Sequence, residues 1–207
     1  MNAAARVLIV GAGHAGGRAA LNLRRMGYAG AITLIGEEAY PPYERPPLSK
    51  DLLKGAVEPE STYLQPMDAW RASGIDLRLG RRAIAIDRDA RRVLLDGDGE
   101  CAYDALILAT GARARSFPGV VDPGARVHTL RTLADVAALK PALRKGARIG
   151  VLGAGFIGLE VASGALQLGA YPVVVESASR PLARLLPAEF ASWLTGLADR
   201  EGVEFRF

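Results

Sequence analysis

Cysteine is almost missing from this chain. Cys101 is the single one in 207 residues, so no intrachain disulfide can form, and electron transfer through a redox-active cysteine pair of this chain is excluded. Near a predicted hairpin, Cys101 reads as a structural residue. Long apolar runs are missing as well: half of the residues are hydrophobic, yet no stretch approaches the ~18 residues of a membrane span. The segment from Met1 to Gly17 is not a secretory signal, because its apolar run covers only Val7 to Val10 and leads straight into a glycine-rich loop. Runs of lysine and arginine of the kind that grip nucleic acid are absent, no solenoid-length repeat is found, and no metal site is expected. The composition is that of a cytoplasmic protein with neither nucleic acid nor membrane as partner.

Charge is present but uneven. The formal net charge is +4; residues 1–110 carry 14 basic and 14 acidic side chains, whereas residues 111–207 carry 12 and 8. The excess in the second half could steer an acidic partner protein, although its scatter also fits an ordinary solvated surface.

One phosphate-cradling pattern is written twice, as Gly11-Ala12-Gly13-His14-Ala15-Gly16 and as Gly153-Ala154-Gly155-Phe156-Ile157-Gly158. Each follows a short apolar run, Val7 to Val10 or Ile149 to Leu152, and opens a helical spacing of apolar residues. The first glycine permits a tight turn, the second lets backbone approach a pyrophosphate, and the third allows close helix–strand packing. Glu37 follows a second strand, Ala31 to Ile35, and lies 21 residues past Gly16; Glu176 follows Val173 to Val175 and lies 18 past Gly158. That is the spacing of a carboxylate that accepts hydrogen bonds from a ribose. Two dinucleotides are implied. Glu176 would also repel a 2′-phosphate by ~1–4 kcal/mol at about 4 Å, which favours NADH over NADPH, with Arg180 nearby as the group that could offset it.

Between the two patterns, Tyr40 to Lys50 holds four prolines and forms a rigid loop, followed by a helical turn at Asp51 to Lys54 and Gly55. A helix is predicted over Pro66 to Ser73. Ile75–Leu79, Ala83–Ile86 and Val93–Leu95 read as an antiparallel meander, with turns at 87–89 and 96–99. Ala105–Leu108 reads as a buried strand, 113–124 as a linker, Thr132–Arg144 as a helix, Pro187–Arg200 as a helix with proline in its first position, and Val203–Phe207 as a strand.

An ordered set of motifs, the first glycine pattern, Pro46-Pro47-Leu48-Ser49-Lys50, Leu108-Ala109-Thr110-Gly111, Leu130-Arg131-Thr132-Leu133 and Gly153 to Glu160, resembles the FAD-dependent, NADH-using ferredoxin reductases that serve haem-thiolate monooxygenases and aromatic-ring dioxygenases. The resemblance covers the whole chain, and its proline–lysine stretch is the most specific part. It implies an α/β fold of two Rossmann-like dinucleotide-binding units in a glutathione-reductase-like flavoprotein architecture, with FAD held by residues 1–115 and NADH by residues 116–207. Position by position, Ala15 and its glycine neighbours Gly11, Gly13 and Gly16, with His14, would meet the FAD pyrophosphate, and Glu37 the adenosine ribose. Ala83 would meet the adenine through its backbone, Thr110 and Gly111 would form the turn where a strand passes the cofactor, and Arg131 would contact FAD. Gly153, Gly155, Phe156, Ile157, Gly158 and Glu176 would hold NADH. Lys50 corresponds to a lysine beside the flavin ring and Glu160 to an acid at the nicotinamide side of the same junction; they are the expected catalytic pair. The implied electron acceptor is a ferredoxin-type iron–sulfur protein.

Members of that family continue well past residue 207, so the chain is expected to be C-terminally truncated. Three readings follow: a reductase or a piece of one, a module that binds nucleotide without passing electrons, and an inactive remnant. The oligomeric state is left open.

Overall fold

In the computed structural model, which describes residues 5–115, 119 and 126–207, the chain divides into two compact units. One comprises residues up to Arg45 with Glu60–Arg113; the other comprises Pro46–Pro59 with the described part of Ala114–Phe207. The expected linker at 113–124 lies mostly outside the described residues.

The first unit is built on four parallel strands, β1 (Val7–Val10), β2 (Ile32–Gly36), β3 (Ile75–Leu79) and β7 (Ala105–Leu108), in the order β3-β2-β1-β7. The apolar residues of β1 are buried on both faces, as expected of a central parallel strand. On one face Val7, Ile9, Ile32, Leu34 and Ile75 pack with Ala20 of helix α1 (His14–Arg25) and Trp70 of helix α3 (Met67–Ala72). On the other face Leu8, Val10 and Ile35 are covered by Val93, Leu95, Cys101 and Tyr103. That cover is an antiparallel meander of β4 (Ala83–Asp87), β5 (Arg92–Leu95) and β6 (Glu100–Ala102). Burying each Val, Leu or Ile side chain among them contributes ~1.5–3 kcal/mol.

Two strand assignments are corrected here. Ile75–Leu79 pairs in parallel with β2 and is not part of the meander, and Glu100–Ala102 supplies the third meander strand instead. The alternating pattern of β3 suits any strand with one buried face, so periodicity could not tell an edge strand of the parallel sheet from a hairpin arm. Cys101 is buried on β6.

The second unit carries β8 (Arg148–Leu152), β9 (Tyr171–Val175) and β10 (Glu204–Arg206), all parallel, in the order β10-β9-β8. Helix α5 (Phe156–Gln167) follows β8, and α6 (Ala188–Glu201) crosses over to β10. The short α2 (Asp51–Lys54) packs on α5, its Leu53 3.7 Å from where a side chain would begin at Gly164. Helix α4 (Leu133–Leu139) is shorter than its expected span, passing into a single 3-10 turn at Lys140–Ala142 because Pro141 cannot supply a helical N–H. Pro187 is the N-cap of α6, not its first helical residue.

Candidate functional site

At the C-terminal end of β1 the chain turns at Gly11, whose φ of +114° disfavours any other residue. A side chain at Gly11 would meet the Ala109 carbonyl oxygen at 2.0 Å, and one at Gly16 would meet the Gly11 carbonyl at 1.9 Å. Both glycines are therefore packing requirements. Gly13 differs: a Cβ there would find no atom within 4 Å. It is also the N-cap of α1, with no side-chain capping bond and no acid in the first turn. The first turn of α1 is thus uncapped, with open space at Gly13 and exposed His14 and Ala15 beside it, where phosphate oxygens would fit.

The other first-unit residues gather at the same sheet end. Glu37 follows β2 and is ion-paired with Arg113. Thr110 and Gly111 follow β7, and the Ala109–Thr110 backbone lies against the Gly11 turn. Gly80 and Arg81 donate backbone hydrogen bonds to the carbonyls of Glu38 (3.1 Å) and Gly36 (2.8 Å), which brings the start of β4 and Ala83 toward Glu37. Glu38, Tyr43 and Arg45 form a cluster of their own: Arg45 reaches Glu38 at 2.7 Å and lies 4.4 Å over the Tyr43 ring, and the Tyr43 hydroxyl donates to Glu38.

The second loop repeats the first. Gly153 has φ +100°, a side chain at Gly158 would meet the Gly153 carbonyl at 2.1 Å, and Gly155 caps α5 with nothing within 4 Å of its missing Cβ. Phe156 and Ile157 are exposed at the start of α5. Glu176 sits at the end of β9, and its carboxylate accepts from the backbone N–H groups of Ala154 (2.8 Å) and Ala178 (2.9 Å) and from the Ser177 hydroxyl (3.2 Å). These donors hold its pKa below the ordinary carboxylate value, the Ala178 and Ala154 amides most of all. Arg180 is spent on the carbonyls of Leu186 (2.6 Å) and Ala183 (3.0 Å).

The two acids are not at equivalent positions. Gly11 N–H bonds to the Ile35 carbonyl and Gly153 N–H to the Val175 carbonyl, each at 2.8 Å, so Glu176 stands where Gly36 stands. A side chain at Gly36 would begin 2.4 Å from the Ala12 methyl, whereas the second loop accommodates Glu176 beside the corresponding Ala154, from whose N–H it accepts. The first acid stands one residue further on, at Glu37.

Lys50 and Glu160 are brought together within the second unit, Nζ to Oε1 at 3.5 Å. They border a cavity of about 590 Å³, which Leu182, Leu186, Phe190 and Leu194 also line. Ser49, which sequence reasoning passed over, donates its hydroxyl to the other carboxylate oxygen of Glu160. Arg131 lies at the entry to α4, where its N–H and that of Thr132 both bond to Asp135 at 2.8 Å and Thr132 completes the capping box. Ser49 lies within the proline–lysine motif and Arg113 at the start of the expected linker, but the sequence assigns neither a partner, because the partners stand 111 and 76 residues away.

Two glycine loops, each with an uncapped helix and an acid beside it, define a protein built to bind two dinucleotides. The pyridine nucleotide-disulphide oxidoreductase model matches residues 5–207, and the chain belongs to that family. It is 44% identical over 199 residues to the ferredoxin--NAD(+) reductase component of the anthranilate 1,2-dioxygenase system of Burkholderia cepacia, covering 96% of this chain and 49% of that protein. It is 42% identical over 202 residues to rhodocoxin reductase of Rhodococcus erythropolis, covering 97% and 47%. In the crystal structure of the covalent putidaredoxin reductase–putidaredoxin complex, a matching chain superposes with a TM-score of 0.93 at 38% identity, over 99% of this chain and 50% of the other. The chain spans about half the length of the curated relatives it matches. Among the described residues, no helix is long and apolar enough to cross a membrane.

Proposed function

We propose that this chain is the dinucleotide-binding portion of a cytoplasmic flavoprotein that takes electrons from NADH through FAD to a ferredoxin-type iron–sulfur protein serving an oxygenase. The observation that carries this reading is the doubled cradle, with open space at Gly13 and Gly155 where uncapped helices present free N–H groups. In this reading residues 1–115 contribute the FAD site and residues 116–207 the NADH site. A bound flavin supplies the conversion between a two-electron hydride donor and a one-electron acceptor.

The chain's own residues bind and orient. The N–H groups following Gly13 and Gly155 take the two pyrophosphates. Glu37 and Glu176 accept from ribose hydroxyls, Ala83 offers backbone to adenine, Thr110 and Gly111 shape the turn beneath the first cofactor, and Arg131 contacts it. Phe156 and Ile157 shield the second cofactor from water. Lys50 and Glu160 set the local charge at the reacting rings, where low water content strengthens it. Glu176 disfavours a 2′-phosphate, and the commitment of Arg180 to two carbonyls removes the cation that could compensate.

The test is the visible absorption spectrum of the purified chain, with FAD added and then NADH under anaerobic conditions. A flavin spectrum that bleaches supports the reading. Uptake of FAD without bleaching would reduce the chain to a nucleotide-binding module. A protein that binds neither cofactor would remove the reading for this chain.

A further inference from the structure

Glu160 sits in the second turn of α5, and its two carboxylate oxygens have different partners: the Ser49 hydroxyl on Oε2 and the Lys50 ammonium 3.5 Å from Oε1. The partners are unequal as constraints. The Lys50 side chain is 52% exposed, on a flexible four-carbon stem, at a separation longer than a good N–H···O bond. Such an exposed pair has little power to fix a geometry. Ser49 is only 6% exposed and has a single side-chain rotor. Its backbone is anchored by buried Leu48, Leu52 and Leu53 and stiffened by Pro46 and Pro47. A buried hydroxyl on a rigid loop, donating to a charged acceptor, is the stronger and more directional contact.

We propose that Ser49 is a positioning residue: its hydroxyl fixes the Glu160 carboxylate, the acid that Lys50 faces. The inference rests on the reading above for its functional consequence, but not for its geometry. In that reading Glu160 faces the nicotinamide end of the site, and a carboxylate free to rotate would leave the reacting groups less well aligned.

The geometric test is made on the full chain without cofactor, by side-chain carbon NMR with selectively labelled glutamate, the Glu160 signals being identified by their loss in Glu160→Gln. Three-bond couplings of Glu160 are expected to report one dominant rotamer in the unmodified chain, in Ser49→Thr and in Lys50→Met, and averaged rotamers in Ser49→Ala. Ser49→Cys, nearly isosteric and a weak donor, is expected to average as well and stands in should the alanine variant fail to fold. Fixed couplings in both the alanine and cysteine variants, or averaging in Lys50→Met as complete as in Ser49→Ala, would overturn the proposal. With flavin bound, Ser49→Ala is expected to lower the limiting rate of reduction by NADH about tenfold, leave the NADH dissociation constant within about twofold, and be rescued by threonine. An unchanged limiting rate would overturn the functional half. Absence of any reduction in the unmodified chain would sink the proposed function instead, and the couplings would still decide the role of Ser49.

Discussion

The two βαβ units share one plan and differ in what surrounds it. Gly11 and Gly153 turn at φ +114° and +100°, Gly16 and Gly158 close on the carbonyls of those turns, and Gly13 and Gly155 cap helices over open space. Around these loops the sheets diverge. Leu8, Val10 and Ile35 are 1%, 7% and 1% exposed beneath the meander, whereas the matching positions of the second unit are exposed Gly150, Leu152 at 63% and Val175 at 40%. Strand β1 has neighbours on both sides and β8 on one. The glycine loop is therefore a local construction, dictated by backbone angles and one carbonyl contact, and it survives in two very different settings. The stability of the sheet beneath it is not local.

The largest effects should come from the glycines, and they separate packing from binding. Gly16→Ala and Gly158→Ala place a methyl about 2 Å from a carbonyl oxygen, a clash expected to cost more than about 4 kcal/mol. Gly13→Ala and Gly155→Ala meet nothing and have extended φ and ψ, so urea denaturation should shift by no more than about 1 kcal/mol. Calorimetric titration should nonetheless show dinucleotide affinity falling at least about tenfold, each at its own loop, because the methyl occupies the space kept for phosphate. Equal destabilisation by all four substitutions would mean that the open cradles are not binding sites.

Next in size is the test of the two sheet faces. Leu8→Ala removes a side chain that is 1% exposed and should cost about 3 kcal/mol in chemical denaturation. Leu152→Ala removes one that is 63% exposed and should change stability by less than about 0.5 kcal/mol. A large loss at Leu152 would show that its face is covered in solution, by a second copy or by another partner.

The acids come third. Glu176→Ala orphans the Ala154 and Ala178 N–H groups, so it should destabilise the second loop by about 1 kcal/mol and also erode the preference for NADH over NADPH about fivefold or more. Glu37→Ala removes a carboxylate that pairs with exposed Arg113 and should leave loop stability unchanged. An unaltered NADH to NADPH affinity ratio in Glu176→Ala would take the ribose role away from Glu176.

These contrasts also mark what could be read in advance. The loops, their strands and the 51–54 turn were legible because glycine and proline constrain the backbone wherever they stand. Spacing placed Glu37 and Glu176 beyond their strands, but not the one-residue offset between them, which shows only in the bonds from Gly11 to Ile35 and from Gly153 to Val175. Strand β3 was visible as a strand and assigned to the wrong sheet, since alternation reports a buried face without naming its neighbour. The contacts of Ser49 and Arg113 are not legible in the sequence, because they join distant segments. Arg24 belongs with them: its guanidinium donates to the carbonyls of Tyr28, Gly30, Ser73 and Gly74 at 2.6–2.9 Å, tying the end of α1 to the turn before β3.

The smallest expected effect is a pH dependence at the opposite end of the first sheet. Asp104 accepts from the Arg6 guanidinium at 3.1 Å and from its backbone N–H at 2.7 Å, which together lower its pKa from 3.8 to about 2. Because the folded value lies below the unfolded one, the stabilisation is fully present above about pH 4 and is lost as pH falls through about 2. The pair is exposed, so salt and solvent screening keep the effect modest. Asp87 and Glu176 are depressed as well, so the unmodified chain alone cannot assign the loss, and the comparison must be with Asp104→Asn. The urea midpoint of the unmodified chain should fall more steeply than that of the variant between about pH 4 and 2, the two curves converging at the acid end. Parallel curves would mean that the latch between Arg6 and Asp104 does not stabilise the first sheet, leaving the apolar layers beneath and above β1 to hold it alone.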